Sequence, residues 1–419
     1  MPTDTPHRPD PPAARSLPPV TSDVDRTLAR IDREVDWLSA LSPVGNDAMW
    51  HAFAASGFTD APTLRYPEQR ADLTALRAEL RALPVDEIEE PAFEALLREK
   101  QREVDRQIEL VTLRDTDGFV AASIDLFGDA DPDLIRTAQT ILDTVEAEFE
   151  AEGEETATVD DLVAAARAEM DRYRAADPRF AARIVLRDDL NSGLMVSGGN
   201  LHVAKSYRAR PAAIRPMVAH EVGTHVLTAH NGRCQPLCQL AVGLADYDPL
   251  QEGLGTFSEY LAGYLPPRRL RVLAARVIAA DLAIRQESLQ SIFERLFEGE
   301  RMGAEDAFDT AVRAKRGGGL TKDAVYLRGL RGLLAYLATD GDFEFLLLGK
   351  LAMRQRHPIK RLLDEGWLIA PTLLPSHLSD PNAQRRLARA RRLTVDQLYQ
   401  TEPPLEASLS ETPPEGPTS

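Results

Sequence analysis

Apolar residues recur at helical spacing along most of this chain. From about residue 22, apolar positions such as Leu28 and Ile31 lie three or four residues apart, which predicts an amphipathic helix that ends before Pro43. The same spacing continues through residues 67–126, where charged residues fill the polar positions. Further helices are predicted at residues 131–150, 158–174, 211–230, 248 onward, 270–284 and 330–378. The pattern is typical of a mainly α protein.

The periodicity changes near residue 180. Residues 183–187 form a short apolar run of the kind that strands contain. Residues 193–196 and 201–204 are apolar and flank the turn-forming sequence SGGN at 197–200, which predicts a hairpin. We therefore expect an α+β fold, mainly α, with one small antiparallel sheet.

Composition limits the classes of partner. Residues 1–21 and 399–419 are rich in proline and lack periodicity, which predicts disorder at both ends. The formal net charge is −17 and the isoelectric point is near 5.0, so the surface would repel the phosphates of nucleic acid. The sequence contains no apolar run of the roughly 20 residues that a membrane span needs, and no apolar leader. We expect a cytoplasmic protein that binds neither nucleic acid nor a membrane.

Two histidines and a glutamate lie close together in the predicted helix at 211–230. The sequence of residues 220–225 is HEVGTH. In an ideal helix His220 and His225, five residues apart, would be separated by about 140° around the axis, too far to bind one ion. A π-bulge would bring the two imidazoles together, and Gly223 would ease that distortion. The alternative is a chance pairing of His and Glu on an amphipathic helix.

A second carboxylate follows in the sequence QEGLG at residues 251–255. Asp248 and Pro249 suit the N-cap and the first position of a helix, which places Glu252 in its first turn. Glu259 lies seven residues further on and returns to the same face of that helix.

These residues form a candidate zinc site. Two imidazoles and a carboxylate are ligands that zinc accepts, so we predict that His220, His225 and Glu252 bind one Zn²⁺ ion. Glu221 is the predicted general base, which would activate water in the remaining coordination position. Glu259 is expected to fix the tautomer of one histidine, the alternative being an ordinary surface carboxylate.

A glycine-rich segment, RGGGLTK at residues 316–322, precedes another predicted helix. Three glycines before a helix can present backbone N–H groups to an anion. Arg316, Lys322 and Arg328 are the cations available to bind such an anion. Tyr326, one turn after Lys322, is expected to donate a hydrogen bond to an oxyanion at the scissile carbonyl. The alternative is that Tyr326 and Arg328 are ordinary residues of a packed helix.

Several ordered motifs resemble one known family. They are HEVGTH at 220–225, NG at 231–232, QPL at 235–237, QEGLG at 251–255 and RGGGLTKDAVYLRGL at 316–330. Together they are similar to the QEGLA-motif family, which includes the microtubule-associated tyrosine carboxypeptidases, and the resemblance covers about residues 25–380.

The resemblance implies a zinc metallopeptidase. The metal-binding roles of the family fall on His220, His225 and Glu252, and the catalytic role falls on Glu221. The resemblance also implies that the released C-terminal residue is aromatic, such as Tyr or Phe. For a carboxypeptidase, the anion expected at Arg316, Lys322 and Arg328 is the terminal carboxylate of the substrate. Gly255 stands where the family motif has alanine, a mild change that is expected to leave metal binding undisturbed. Eukaryotic relatives act on tubulin, but nothing in this sequence supports a tubulin partner.

We predict an N-terminal helical region at residues 22–178, followed by a zincin-like metallopeptidase region at 179–398. The expected function is that of a metallocarboxypeptidase, which acts on a peptide or protein C-terminus by Glu221-assisted attack of zinc-bound water. The alternative is a non-catalytic regulatory or binding protein with a structural zinc site. Such a site would need a fourth protein ligand, for which His230 and Cys234 are candidates.

Overall fold

Helices make up most of the protein in the computed structural model, which describes residues 14–147, 156–188, 190 and 193–399. Five short strands occur among these residues. The predicted class, mainly α with a small sheet, is therefore confirmed. No helix in the described ranges is both long enough and apolar enough to span a membrane.

The first part of the chain contains eight helices among its described residues, the last of which ends at residue 176. Its helices are α1 Pro19–Arg33, α2 Trp37–Ala40, α3 Asn46–Ala55, α4 Leu73–Arg81, α5 Pro91–Thr112, α6 Phe119–Phe127, α7 Pro132–Thr144 and α8 Val159–Ala176. Two predicted starts are confirmed by their caps. Asp131 accepts a hydrogen bond from the N–H of Leu134 at 2.8 Å before α7, and Thr158 forms a capping box with Asp161 before α8.

The N-terminal helix begins earlier than the predicted position near residue 22. Pro19 occupies its first turn, where the fixed φ of proline suits a helix start. Before it, the N–H of Arg15 donates to the carbonyl of Gly366 at 2.9 Å, and the Arg15 guanidinium carbon lies 3.7 Å from the centroid of the Trp367 ring. The disorder predicted for residues 1–21 is therefore wrong from Arg15 onward. Residues 1–13 and 400–419 lie outside the described residues.

The sheet is mixed rather than wholly antiparallel. The strands are β1 Ala157–Thr158, β2 Ile184–Arg187, β3 Leu194–Ser197, β4 Asn200–Ala204 and β5 Arg208–Ala209. β3 and β4 form the predicted hairpin, with Ser197 opposite Asn200. β4 lies between β2 and β3. It pairs antiparallel with β3 and parallel with β2. β1 and β5 pair separately as a two-stranded antiparallel ladder.

The second part of the chain carries the longer helices. They are α9 Pro211–His220, α10 Leu227–Arg233, α11 Gln239–Val242, α12 Asp248–Ala262, α13 Pro267–Ile284, α14 Leu289–Glu294, α15 Ala304–Lys315, α16 Val325–Ala338, α17 Arg356–Asp364 and α18 Pro381–Ala390. Residues Glu221–Val226 form a π-helical turn between α9 and α10.

The two predicted regions share one hydrophobic core. The largest cluster of buried apolar side chains includes Leu28 and Leu97 from the first region and Leu254 and Leu330 from the second. Polar contacts also join them, since the carboxylate of Asp25 accepts hydrogen bonds from the N–H groups that begin α11. The N-terminal helices therefore support the segments that surround the candidate site.

Helix α12 is held in place by close backbone contact with α16. A Cβ atom built on Gly253 would lie 2.5 Å from the carbonyl carbon of Gly329. A Cβ atom on Gly329 would lie 1.6 Å from the carbonyl oxygen of Pro249. Since neither position has room for a side chain, the two glycines let the helices cross at short range and fix the position of Glu252.

Candidate metal centre

The helix that carries both histidines is distorted as predicted. α9 ends at His220, the π-helical turn Glu221–Val226 follows, and α10 continues from it. Because a π-helical turn contains an extra residue, positions five apart lie one above the other. The centroids of the two imidazole rings are accordingly 4.9 Å apart. Gly223 is not a steric requirement, since a Cβ atom there would lie 3.7 Å from Cε1 of His377, an ordinary contact.

Three potential ligand atoms converge between α9, the π-helical turn and α12. Nε2 of His220 lies 3.7 Å from Oε2 of Glu252, and Nε2 of His225 lies 3.8 Å from the same oxygen. One ligand atom from each residue falls within 4.8 Å of the others. In a tetrahedral zinc site, bonds of about 2.0–2.2 Å place neighbouring ligand atoms roughly 3.3–3.6 Å apart. The residues therefore fit a zinc ion in both type and spacing.

The surroundings of the three side chains set their protonation. Burial lowers the pKa of His225 to about 4, so its imidazole is neutral at pH 7. Burial also acts to lower the pKa of His220, but the carboxylates of Glu252 and Glu259 outweigh it and raise that pKa to about 10. Glu252 is buried as well, yet the two histidines lower its pKa to about 2 and keep it ionised. The pair of imidazoles thus faces a carboxylate that is negative at neutral pH.

Glu221 lies next to this group. Burial raises the pKa of Glu221 to about 7, with the charges of Glu252 and Glu259 adding to the rise and that of His220 opposing it. A carboxyl group with such a pKa can accept and release a proton near neutral pH. Tyr207, which follows β4, is a neighbour that the sequence did not indicate. Burial and the charges of Glu221 and Glu259 raise the pKa of Tyr207 to about 12, so its phenol stays protonated.

Glu259 lies behind His220 and orients it. Oε1 of Glu259 is 2.7 Å from Nδ1 of His220, and the side chain of Glu259 is 2% exposed. A buried position excludes the alternative of a surface carboxylate. The Arg269 guanidinium donates to both oxygens of Glu259, at 2.9 and 3.1 Å. Arg269 was missed because it lies ten residues after Glu259, on a different helix, and no motif marks it.

His225 has a weaker partner. Nδ1 of His225 lies 3.5 Å from Oε1 of Gln251, the residue that precedes Glu252. The hydroxyl group of Thr228 donates to the same amide oxygen at 2.8 Å. Gln251 therefore links α12 to the helix of the two histidines, and its position within QEGLG is the signal that identifies it.

The start of α12 differs from its predicted form. Asp248 is the first residue of the helix, and no side chain caps that helix end. The Asp248 carboxylate instead accepts a hydrogen bond from Nζ of Lys322 at 2.6 Å. Asp248 lies one helical turn before Glu252, so Lys322 is brought near the site. Its charge is already paired with that of Asp248.

The glycine-rich segment does not present its N–H groups to an anion. The N–H of Gly317 donates to the Tyr66 hydroxyl at 2.7 Å, and the N–H of Gly319 donates to the carbonyl of Arg316 at 3.0 Å. The N–H of Thr321 donates to the Ser123 hydroxyl at 2.8 Å. The predicted anion-binding loop is therefore wrong for these three groups, because two hydroxyl groups and one backbone carbonyl of the protein already accept hydrogen bonds from them.

The structure separates the other predicted substrate-binding residues. Arg328 donates to the carbonyl oxygens of Phe127 and Asp129 and borders a cavity of about 690 Å³ that none of the three ligands lines. Arg328 is thus not at the candidate metal centre. Arg316 is buried, with 5% of its surface exposed. Tyr326 is near the centre, since burial and then the charge of Glu252 raise its pKa.

His230 and Cys234 belong to a different cluster. Nε2 of His230 is 3.1 Å from Oδ2 of Asp177 and 3.6 Å from Sγ of Cys234. Within the part of the chain that the structure describes, the converging ligand group contains His220, His225 and Glu252 and no fourth member. The proposed fourth ligand of a structural site is therefore not found among these residues.

Comparisons with known proteins agree on one family. A sequence profile described as "Microtubule-associated tyrosine carboxypeptidase" matches residues 51–394. The chain is 28% identical over 192 residues to microtubule-associated tyrosine carboxypeptidase 1 of Mus musculus, which covers 42% of this chain and 39% of the mouse protein. The protein of the same name from Homo sapiens is 28% identical over 186 residues, 41% of this chain and 37% of the human protein. The matched segment thus spans less than half of these curated relatives.

A comparison of structures is less informative. A solved structure described as a lipoprotein of unknown function from Shewanella oneidensis aligns with 83% of this chain and 83% of its own, at 13% identity and a TM-score of 0.35. That similarity is too low to establish a common fold. The profile match, by contrast, covers well over half of the chain. This chain therefore belongs to the microtubule-associated tyrosine carboxypeptidase family.

Proposed function

We propose that this protein is a zinc-dependent carboxypeptidase. The observation that carries the proposal is the convergence of His220, His225 and Glu252, with Glu221 beside them. Three protein ligands leave a coordination position free, which is typical of catalytic zinc sites rather than structural ones. The names of the curated relatives support the same class of reaction.

The residues of the chain would divide the hydrolysis between them. Zinc bound by the two histidines and Glu252 would polarise the scissile carbonyl and acidify water. Glu221 would take a proton from the attacking water and deliver it to the nitrogen of the leaving residue as the C–N bond breaks. Tyr326 would donate a hydrogen bond to the oxyanion, and its phenol stays protonated because burial raises its pKa. Glu259 would keep Nε2 of His220 directed at the metal.

The proposed substrate is a peptide or protein with a free C-terminal carboxylate. The relatives are named tyrosine carboxypeptidases, so we propose that the released residue is aromatic, such as Tyr or Phe. The proposal does not extend to tubulin, because the matched segment spans 39% of the mouse relative and no feature of this chain identifies a tubulin-binding surface.

The test combines metal analysis with a peptide library. The purified full-length protein should contain one zinc ion per chain and should release the last residue from peptides that differ at that position. Glu221→Gln should keep the zinc and reduce turnover by about 10²–10⁴-fold, the usual contribution of a general base. Glu87→Gln, a substitution of an exposed glutamate, is the matched control and should keep both.

Three results would contradict the proposal. Unchanged turnover by Glu221→Gln would remove the proposed base. Cleavage at internal bonds would indicate an endopeptidase. Zinc binding without any cleavage across the library would indicate a regulatory or binding protein.

A further inference from the structure

A group of arginines lies beside Tyr326, on the side of the site where helices α13 and α15 meet. Arg276 comes from α13, two turns after Arg269, and its guanidinium carbon lies 4.9 Å from the centroid of the Tyr326 ring. Arg313 lies in the last turn of α15, and Arg316 is the residue that follows that helix. We call Arg276, Arg313 and Arg316 the arginine cluster.

One of the three arginines is paired and two are not. The Arg313 guanidinium forms a two-pronged ion pair with Asp323, with Nη2 donating to Oδ1 at 2.8 Å. Nε of Arg276 and Nε of Arg316 are buried and lack a hydrogen-bond partner. Neither guanidinium has an ion-pair partner within the described residues, and 5% of the surface of Arg316 is exposed. Buried charge without a partner is costly, so such groups are normally met by an opposite charge.

Positive charge predominates in the cluster. Asp323 and Asp309 are the carboxylates with the largest effects on the pKa values of Arg313 and Arg316. Burial and the charge of Arg313 lower the pKa of both Arg276 and Arg316. Arg269, two turns before Arg276 on α13, is already bound to Glu259. An anion bound at Arg276 would offset this positive charge.

The position of the cluster suits the end of a peptide. In a C-terminal residue, the carboxylate carbon lies about 4 Å from the carbonyl carbon of the bond to be cleaved, since only the nitrogen and Cα separate them. A cation that binds the carboxylate must therefore adjoin the group that contacts the scissile oxygen. Tyr326 is proposed to contact that oxygen, and Arg276 lies on the ring of Tyr326.

We propose that Arg276 of the arginine cluster binds the terminal α-carboxylate of the substrate. The planar guanidinium forms two parallel hydrogen bonds with a carboxylate, which lysine does not. This inference rests on the proposed function and replaces Lys322 and Arg328, which are paired with Asp248 and with backbone carbonyls. It makes the enzyme selective for a free C-terminus.

The test compares two peptides that differ only at the C-terminus. Both peptides have tyrosine as their last residue. One ends in a free carboxylate and the other in an amide. Their affinities are measured by fluorescence anisotropy with the zinc-loaded Glu221→Gln protein, in which the peptide survives. We expect the free acid to bind at least 10-fold more tightly than the amide, and Arg276→Gln to reduce this ratio to near 1. Arg276→Lys should keep part of the preference, because it retains the charge without the fork.

The matched control is Arg285→Gln, at the C-terminal end of the same helix and paired at the surface with Asp281. It should keep the full acid preference. Circular dichroism establishes that each variant is folded, and the acid-to-amide ratio of the Glu221→Gln protein itself requires no change in the arginine cluster. An equal affinity for acid and amide would overturn the inference, as would an unchanged ratio in Arg276→Gln.

Lys350 is the alternative cation for the substrate carboxylate, and its variant tests the inference separately. Lys350 acts on the pKa of His225 and lies 5.4 Å from the ring of Tyr247, before α12. If Lys350→Gln rather than Arg276→Gln removed the acid preference, the carboxylate would bind at Lys350 and the inference would be wrong. Failure of the proposed function is distinguishable, because wild-type protein would then cleave neither peptide while the acid preference in binding persisted.

Discussion

The imidazole of His220 rests directly on the backbone of Gly255. A Cβ atom built on Gly255 would lie 2.7 Å from both Cε1 and Nε2 of that ring, closer than real Cβ contacts. The residue that departs from the family motif is therefore the one that supports a proposed ligand. In this chain, the space that an alanine methyl group would need is filled by the imidazole.

We expect Gly255→Ala to move His220 and to lower zinc affinity by about 10-fold or more, because small displacements of a ligand weaken metal binding. Competition with a chromogenic chelator measures the affinity. Gly332→Ala on α16 is the control, since nothing lies within 4 Å of a Cβ atom there. Both changes gain about 1 kcal/mol of helix propensity, so only contact with His220 distinguishes them. Equal zinc affinity in the two variants would contradict the prediction.

Arg269 is predicted to act on the metal through Glu259 and His220. Arg269→Gln removes the fork that holds Glu259, so His220 loses part of its orientation. Zinc affinity should fall by about 10–100-fold, the usual effect of losing such a partner. Arg268→Gln, at the neighbouring residue that pairs with Asp306, should leave the affinity unchanged. Loss of activity at full zinc affinity would instead indicate that Arg269 contacts the substrate.

Tyr326 is predicted to stabilise the oxyanion of the transition state. Tyr326→Phe removes only the hydroxyl group, so kcat should fall by about 10²-fold or more, while KM and zinc content stay the same. Tyr336→Phe, on the same helix, removes a hydroxyl that donates to the carbonyl of Asp342 at 3.2 Å. That control should keep its kcat. A rise in KM without a change in kcat would assign Tyr326 to binding rather than to the transition state.

His377 is predicted to make stability depend on pH. It packs against Gly223 in the π-helical turn, and burial lowers its pKa from 6.5 to about 4. Between these values the unfolded chain binds a proton at His377 that the folded protein does not. The contribution of neutral His377 to the free energy of unfolding is therefore complete above pH 6.5 and is lost as the pH falls toward 4. The loss should be roughly 1–3 kcal/mol.

Chemical denaturation at pH 7 and at pH 5 tests this prediction. His377→Phe should lose less stability between the two values than the wild type does, because phenylalanine has no proton to gain. His357→Phe, at an exposed histidine, is the control. An equal loss of stability in His377→Phe and in the wild type would contradict the assignment.

Local structure was determined by the sequence itself. The five-residue interval between His220 and His225 required a π-helical turn for one ion, and such a turn is present. The caps at Asp131 and Thr158 and the hairpin after residue 193 follow from neighbouring residues in the same way. The metal-ligand candidates belong to this group, because the shape of one helix and the start of another limit where they lie.

The roles of the cations were decided only by the tertiary structure. Arg328 and Lys322 occur in the same motif as Tyr326, yet their charges are used by Phe127 and Asp248, which are distant in sequence. The N–H groups of the glycine-rich segment are likewise taken by Tyr66 and Ser123. A guanidinium or N–H group binds whichever acceptor the packing brings near it. That choice depends on contacts between segments separated by up to 251 residues, which no local pattern contains.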